Sequence, residues 1–274
     1  MNTRRMQSLA LHALLVLGAA ATLTPLLWML AASFMPSGDA NSVPPRIWPN
    51  RFVLDHYVDL FTRMDLARKF FNSVFVTVSV TVLSVLINAM AGYALAKLRF
   101  PGRERLFRIL MTALLVPAQV TMLPLFLLLK QMGFVNTYVG VMIPGLASVF
   151  GIFLVRQYMS TIPNELLDAA RVDGAGEFRI FWTIVLPIVK PILVTLGVFA
   201  FLGAWNDFMW PLVILSDDAM YTLPVAISSL AGEHVQDTEL MMAGSVLTVL
   251  PVLIVFLVLQ KAYIQGIMSG SLKG

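Results

Sequence analysis

Cysteine is absent from the 274 residues of this sequence, and histidine occurs only three times. Without cysteine the chain has no disulfide, no thiolate nucleophile and no thiolate ligand for a metal. His12, His56 and His234 are scattered along the chain and lack the spacing of paired metal ligands. We therefore expect no metal site in this protein.

Charged residues are also scarce, at 12% of the chain, whereas 58% of the residues are hydrophobic. An average soluble domain has about 25% charged residues, so a soluble protein of this composition would lack polar surface. The net charge of +4 does not indicate nucleic-acid binding, because the basic residues flank apolar runs instead of forming one stripe. Lipid is therefore the expected solvent for much of the chain.

Long apolar runs are abundant, and a helix that crosses the hydrocarbon core of a bilayer needs about 20 mostly apolar residues. The first run follows Arg4 and Arg5 as a signal peptide would, but it is longer than the apolar part of a signal peptide. The sequence thus predicts an all-α membrane protein with a single transmembrane domain over residues 1–274 and six spans. The predicted spans are 9–34, 71–96, 107–129, 139–157, 190–214 and 241–262.

The distribution of lysine and arginine predicts the orientation of these spans. With the N-terminus inside, most of the 19 basic residues fall in the inner segments. The last outer segment, about 215–240, contains acidic residues but no lysine or arginine. Both termini are therefore expected to be cytoplasmic.

The second predicted span carries a polar stripe along one face of an otherwise apolar helix. Its members are Ser73, Thr77, Thr81, Ser84 and Asn88. Because lipid cannot satisfy these groups, they face protein or a water-filled path. Interhelical hydrogen bonding and the lining of a transport path are both open interpretations.

Two other predicted spans carry polar residues beside helix-breaking or aromatic residues. In the third span, Gln119 lies between Pro117 and Pro124, which are expected to bend the helix. Broken helices are tolerated in membranes where they line a cavity or are buried by protein. The fifth span contains Trp205, Asn206 and Asp207 near its outer end, where they serve either as pathway residues or as interfacial anchors.

The segment 158–189, between the fourth and fifth predicted spans, is too polar to cross a membrane. Its pattern predicts a helix over about 163–172, a stop at Gly174 and a second helix over about 176–185. One face of the first helix carries mostly small residues, which could lie in the groove of another protein. This face consists of Leu166, Ala169, Ala170 and Asp173. From these residues alone, an interfacial hairpin without a partner is the alternative.

A spaced motif runs through this hairpin: Asp168-Ala169-Ala170, three residues, Gly174, nine residues, then Ile184-x-Leu186-Pro187. It resembles the EAA loop of ABC-importer permeases, which has Glu-Ala-Ala, Gly and Ile-x-Leu-Pro at the same spacing. The one departure, aspartate for glutamate, keeps the negative charge. The longer segment 162–175 resembles the MalG-like branch of these permeases, which serves carbohydrate uptake.

The resemblance implies the type I importer permease fold and a pore subunit that is not itself an enzyme. The chain has no G-x-x-x-x-G-K-[ST] phosphate loop, so we expect it to bind no cofactor, with ATP and Mg held by partner subunits. The implied partners are an ATPase homodimer or heterodimer, a second and different permease, and an external solute-binding protein. The implied location is the prokaryotic plasma (inner) membrane. The residues implied to couple the chain to the ATPase are Glu165, Leu166, Asp168, Ala169, Ala170, Arg171, Asp173, Gly174, Ala175, Ile184, Leu186 and Pro187.

Three other classes of membrane protein are alternatives. A secondary, ion-coupled transporter would carry ionisable residues near the midplane and matching halves, and neither is evident. A membrane-embedded enzyme would need a motif such as H-E-x-x-H or G-x-S-x-G, and both are absent. A membrane scaffold without transport activity is the third.

Overall fold

The computed structural model describes residues 3–44, 46–233 and 237–271, and these residues form helices and no strands. The all-helical class is therefore confirmed, while His234 lies outside the described residues. The helices are α1 (Thr3–Ala32), α2 (Asp55–Thr62), α3 (Leu66–Lys97), α4 (Arg103–Ala113), α5 (Ala118–Gln131), α6 (Tyr138–Leu146), α7 (Val149–Met159), α8 (Asn164–Val172), α9 (Glu177–Ile180), α10 (Leu186–Trp205), α11 (Met209–Ile214), α12 (Leu223–Glu233) and α13 (Thr238–Ser271).

Four helical segments are long and apolar enough to cross a membrane: Gln7–Ala32, Leu66–Lys97, Glu177–Trp205 and Thr238–Gln260. Two bent pairs, α4 with α5 and α6 with α7, raise the count to six if each pair forms one span. The described part of the chain therefore has four to six candidate spans. The count of six and the orientation of the termini stay predictions.

The third predicted span, 107–129, is not one continuous helix. The chain turns by 106° between α4 and α5. Before the turn, Leu114, Leu115 and Val116 make tighter bonds to carbonyls three residues back. Pro117 then adopts an extended conformation, with φ −59° and ψ 134°. A proline has no N–H to continue the helix and it disfavours helical geometry in the preceding residue, so the helix ends here.

A milder bend of 40° divides the fourth predicted span, 139–157, into α6 and α7. Ala147 and Ser148 are extended at the break. The Ser148 hydroxyl caps α7 by accepting a hydrogen bond from the Gly151 N–H at 3.2 Å. Serine is a favoured cap because its oxygen satisfies a helix-terminal N–H that has no partner within the helix.

The second helix of the hairpin does not end near residue 185, and the helix that contains the start of the fifth predicted span, 190–214, begins earlier than that span. Instead, α9, a π-helical turn at Phe181–Val185 and α10 follow one another as one segment, Glu177–Trp205. The widened π turn lies just before Pro187, where it relieves the clash of the proline ring with the preceding turn. The segment ends at Trp205 instead of 214, and α11 follows as a separate short helix.

The chain divides into two compact units, and the first comprises Met1–Ala67 and Ala226–Pro251. In this unit a small apolar cluster forms around Ala32 and Met35. Glu239 is fully buried and its Oε1 accepts a hydrogen bond from the Ala40 N–H at 2.7 Å. The ring of His56 is also buried and its Nε2 lies 2.8 Å from the Met35 carbonyl oxygen.

The second unit comprises Arg68–Val225 and Val252–Gly274 and holds two apolar clusters. One gathers side chains of α3, α7, α8 and α10, including Val155, Leu167 and Leu196. The other gathers side chains of α3, α5, α6 and α11. Close approach of α3 to α7 depends on Gly92, where an added Cβ would lie 2.8 Å from the Val155 Cγ1 and 3.1 Å from a backbone nitrogen.

Substitution of Gly92 by leucine should force α3 and α7 apart, because the side chain has no space in this contact. Overpacking of this kind should lower the midpoint of thermal unfolding by about 5 °C. The measurement is thermal unfolding of the purified chain in detergent. The control is Gly18→Leu, since no atom lies within 4 Å of a Cβ built at Gly18. Equal midpoints for the two variants would contradict the proposed close contact.

Candidate functional site

A cavity of about 500 Å³ opens inside the second unit. Its wall is formed by α3, α5, α6, α7, α10 and α11 and by the breaks between helices. Most of the lining is apolar, with Val80, Met122, Phe199 and Trp210 among its members. A few polar side chains interrupt this wall: Ser84, Gln119, Thr121, Ser148 and Asp207. An apolar wall with a few directed polar groups is typical of a small-molecule site.

Asp207 provides the only carboxylate among the described residues that line this cavity, and no lysine, arginine or histidine lines it. The residue lies in the break between α10 and α11, where its Oδ1 accepts a hydrogen bond from the Trp210 N–H at 3.3 Å. The indole of Trp210 is buried and donates to the Gly140 carbonyl at 3.1 Å. The short α11 is thereby tied to α6, and the carboxylate keeps acceptor capacity on the side of the cavity.

The structure brings three of the nine predicted pathway residues to the cavity wall, namely Ser84, Gln119 and Asp207. The remaining six are not among its lining residues. These six are Ser73, Thr77, Thr81, Asn88, Trp205 and Asn206. Trp210 was not among the predicted pathway residues, and Ser148 was not singled out, although a serine before an apolar helix is a recognisable cap.

The polar stripe of α3 is mostly buried against protein. The Ser73 hydroxyl accepts a hydrogen bond from the Leu223 N–H at 2.6 Å. Asn88 is fully buried, donates to the Ser84 carbonyl and hydroxyl oxygens, and accepts from the Ser148 N–H at 3.0 Å. Thr81 only bonds back to the Thr77 carbonyl of its own helix. Ser73 and Asn88 therefore hydrogen-bond to other segments, whereas Thr81 and Ser84 bond within α3. The buried Thr77 hydroxyl has no hydrogen-bond partner among the described residues.

Trp205 and Asn206 lie next to Asp207 in the sequence but point elsewhere. The indole of Trp205 is 1% exposed and stacks on Phe201, with ring centroids 5.9 Å apart. Asn206 is exposed, and its side chain donates to the Leu202 carbonyl at 2.9 Å at the end of α10. Because the helix ends between these residues, three consecutive side chains take three different surroundings.

The hairpin begins with α8 and closes as the sequence predicted. The Ala175 N–H bonds to the Ala170 carbonyl at 2.9 Å, and the Gly174 N–H bonds to the Arg171 carbonyl at 3.0 Å. These two bonds define a Schellman motif, which needs a left-handed residue after the helix. Gly174 has a φ of +83°, so the predicted stop position is confirmed. A side chain at this position would strain the backbone.

Arg171 fastens the two arms of the hairpin together. Its guanidinium donates to Asp168 Oδ1 at 2.6 Å and to Glu177 Oε1 at 2.7 Å. The Tyr93 hydroxyl donates to the other oxygen of Glu177, which ties the hairpin to α3. The hydrogen bond with Glu177 raises the pKa of the Arg171 guanidinium above its usual range, so the residue remains charged.

The outward face of α8 agrees with the predicted face at Leu166, Ala169 and Asp173 and differs from it at Ala170, which is half-buried. Leu167 is 1% exposed, and Ala170 packs inward beside it. Ala175, Ile184 and Leu186 of the predicted set also pack against this cluster, while Pro187 is exposed. The outward residues of the predicted set are Glu165, Leu166, Asp168, Ala169 and Asp173.

Two exposed apolar residues of the hairpin were missed by sequence reasoning. Val172 is 88% exposed and Phe178 is 73% exposed. The spacing of Leu167 and Ala170 would have shown the inward face, and with it the outward position of Val172. Exposed large apolar residues framed by carboxylates are typical of a surface that another protein covers.

Comparison with known proteins places these features in a family. Residues 84–269 match the model of the binding-protein-dependent transport system inner membrane component family. The chain is 38% identical over 253 residues to the arabinooligosaccharides transport system permease protein AraQ of Halalkalibacterium halodurans, covering 91% of each chain. It is 33% identical to the lactose transport system permease protein LacG of Rhizobium radiobacter, covering 98% of each.

A solved structure shares the fold. The crystal structure of a bacterial ABC transporter involved in the import of the acidic polysaccharide alginate contains a chain that superposes with a TM-score of 0.84. The two chains are 25% identical, and the match covers 95% of this chain and 98% of the other.

Replacement of Asn88 by leucine should destabilise the protein, because it removes the acceptor for the half-buried Ser148 N–H. An unpaired buried donor costs about 1–3 kcal/mol, which should appear as a lower midpoint of thermal unfolding in detergent. Thr81→Val is the matched control, since the Thr81 hydroxyl bonds only within its own helix. If the two variants unfold at the same temperature, Asn88 does not hold the α6–α7 break in place.

Proposed function

The chain belongs to the binding-protein-dependent transport system inner membrane component family, and from this premise we propose that it is one of two permease subunits of an ATP-binding cassette importer. The observation that carries the proposal is the exposed hairpin continuous with a helix that lines the cavity. The sequence has no phosphate loop, so ATP hydrolysis falls to partner subunits. A secondary transporter would have no use for such a hairpin.

The hairpin is suited to receive a movement from an ATPase subunit. Leu166, Val172 and Phe178 offer exposed apolar contacts, and Glu165, Asp168 and Asp173 surround them with negative charge. The Arg171 bonds and the buried Leu167 keep the hairpin from deforming when it is pushed. Closure of the ATPase pair on ATP would then displace the hairpin as one body.

The long segment Glu177–Trp205 connects that displacement to the cavity. Its first residue lies in the hairpin, where it binds Arg171, and Leu196, Phe199 and Gly203 farther along line the cavity. A shift of the hairpin therefore changes the wall of the cavity directly. In thermodynamic terms, ATP binding by the partner shifts the population from an inward-open to an outward-open packing of the helices.

The remaining parts of the transport system follow from the family. They are an ATPase homodimer or heterodimer, a second and different permease, and a solute-binding protein outside the membrane, as the description of the family as binding-protein-dependent supports. The location is the prokaryotic plasma (inner) membrane, with several spans and both termini in the cytoplasm. The basic residues of the inner segments support this orientation.

The solute is a sugar or a related polar compound. Hydroxyl groups of such a solute can donate to Asp207 and bond with Gln119, Thr121 and Ser148 in a cavity without basic residues. The aromatic side chains of Phe199 and Trp210 supply apolar surface for the faces of a sugar ring. The names of the relatives, which refer to arabinooligosaccharides and lactose, support a carbohydrate.

A cysteine introduced at Val172 should crosslink to a soluble ATPase subunit in native membranes, because this side chain is 88% exposed on the hairpin. The chain has no other cysteine, so the label is confined to one position. The measurement is mass spectrometry of the adduct formed by a thiol-attached photo-crosslinker. Val43→Cys is the matched control, a valine 96% exposed in the other unit. Efficient labelling at Val172 with only lipid adducts would overturn the proposed docking.

Asp207→Asn should lower solute uptake about tenfold or more at unchanged amounts of assembled transporter, because hydrogen bonds to a charged group contribute about 1.5–3 kcal/mol. The isosteric change keeps the oxygen that accepts from Trp210. Uptake of radiolabelled sugar into cells measures the effect, and blotting of the membrane fraction measures assembly. The control is Asp65→Asn, whose positive φ of 47° suits asparagine equally well. Normal uptake by Asp207→Asn would remove this residue from the pathway.

A further inference from the structure

A second cavity, of about 850 Å³, lies in the second unit between the end of α3, the start of α4 and the outer side of α8. Cationic residues predominate in its wall. They are Lys97, Arg99, Arg103, Arg105 and Arg171, against the two carboxylates Glu104 and Asp168. None of these residues lines the cavity that contains Asp207.

Both carboxylates of this basic pocket are already neutralised. Asp168 pairs with Arg171 at 2.6 Å, and Glu104 lies 3.2 Å from both Arg103 and Arg156. Lys97 is also occupied, since its ammonium group donates to the Ile162 carbonyl and the Asn164 side chain.

Arg99 and Arg105 provide the two remaining guanidinium groups of the pocket. Both side chains are exposed, and neither has a carboxylate within 4 Å in the described part of the chain. A cluster of cations with its acids already paired is complementary to an added anion. The planar guanidinium is the side chain best suited to bind a phosphate through two hydrogen bonds.

The helix α4, which starts in this pocket, has two different faces. One face packs on α7: the Phe107 ring stacks on Phe153, and the Arg156 guanidinium lies 3.7 Å from the Phe107 centroid. The other face is open: Arg105, Arg108 and Thr112 share a surface cavity with Ile109, which is 59% exposed, and Leu106 is 45% exposed. No residue of α4 is buried.

An open face that is half basic and half apolar matches the boundary of a membrane. Arginines reach the phosphates while the apolar residues enter the acyl region, as in interfacial amphipathic helices. Because the chain turns by 106° after α4, this helix is not aligned with α5 and can lie along the membrane surface. Basic pockets beside membrane helices on the cytoplasmic side attract anionic headgroups.

We propose that this pocket and the open face of α4 bind the phosphate headgroup of an anionic phospholipid, held mainly by Arg99, Arg105 and Arg108. The proposal takes from the proposed function only that this end of the bundle faces the cytoplasm. Because Asn164, Asp168 and Arg171 of the hairpin also line the pocket, a bound headgroup touches the element that receives the ATPase movement. The lipid is thus placed to influence coupling.

The test is a titration of dioleoylphosphatidylglycerol into the delipidated full-length chain, alone and in the assembled transporter, with bound lipid counted by native mass spectrometry. Dioleoylphosphatidylcholine is the neutral comparison. The variant Arg99→Gln/Arg105→Gln/Arg108→Gln should weaken binding of the anionic lipid on the order of a hundredfold, since each basic residue near a headgroup contributes roughly fivefold. The corresponding lysine variant should bind nearly as well as the wild type, which distinguishes lost charge from lost folding.

The matched control removes three exposed arginines elsewhere, in Arg51→Gln/Arg63→Gln/Arg68→Gln, and should bind like the wild type. Equal binding by the pocket variant and the wild type overturns the proposal. So does displacement of the lipid by millimolar inorganic phosphate, which assigns the pocket to a soluble anion. Lipid bound to the isolated chain but lost in the assembled transporter also overturns it, because a protein partner then covers the pocket. Lipid binding is measured without a transport assay. A loss of lipid binding is therefore distinguishable from a failure of the importer proposal.

Discussion

Where a helix is interrupted in an apolar medium, backbone N–H and C=O groups lose their helical hydrogen-bond partners. Other groups of the protein must bind them, because no water is present to do so. In the second unit three such breaks open on one cavity. They precede α5, α7 and α11, and Gln119, Ser148 and Asp207 lie at them. Side chains of the protein satisfy the released groups where they can: Asn88 accepts from Ser148, and Asp207 accepts from Trp210. Three of the five polar residues of the cavity wall therefore lie at or beside a break, while Ser84 and Thr121 lie within α3 and α5.

The hairpin illustrates what local sequence can specify. Its helix, its left-handed glycine and its position in the chain follow from spacing and from the conformations that glycine allows, and the structure agrees at Gly174. The outward face was harder to predict, because the small residues Ala169 and Ala170 look alike in sequence. The structure shows Leu167 packed into the core with Ala170 beside it, and Val172 exposed on the other side of the helix, an arrangement that the spacing of Leu167 and Ala170 also indicates.

The cavity shows where sequence reasoning ends. Prolines at 117 and 124 predict a bend but not its size, since one ends a helix and the other lies inside α5. The apolar run placed Trp205 and Asp207 together in one predicted span, yet α10 stops between them. A polar stripe shows that a helix avoids lipid, but whether each member meets a neighbouring segment or a cavity depends on contacts with residues distant in sequence. Asn88 and Ser148, 60 positions apart, are such a pair.

The length of the continuous segment Glu177–Trp205 has a mechanical consequence. Its 29 residues extend about 43 Å, well beyond a hydrocarbon core of about 30 Å. Only the apolar part of this segment can lie in the hydrocarbon core, so its hairpin end projects beyond the core, and the tilt of the apolar part sets the position of the projecting end. Since one end of this segment is fastened to the hairpin through Glu177, a thinner bilayer would tilt the segment and displace the hairpin in the same stroke. The thickness of the bilayer therefore affects the position of the hairpin as well as the tilt of the helix.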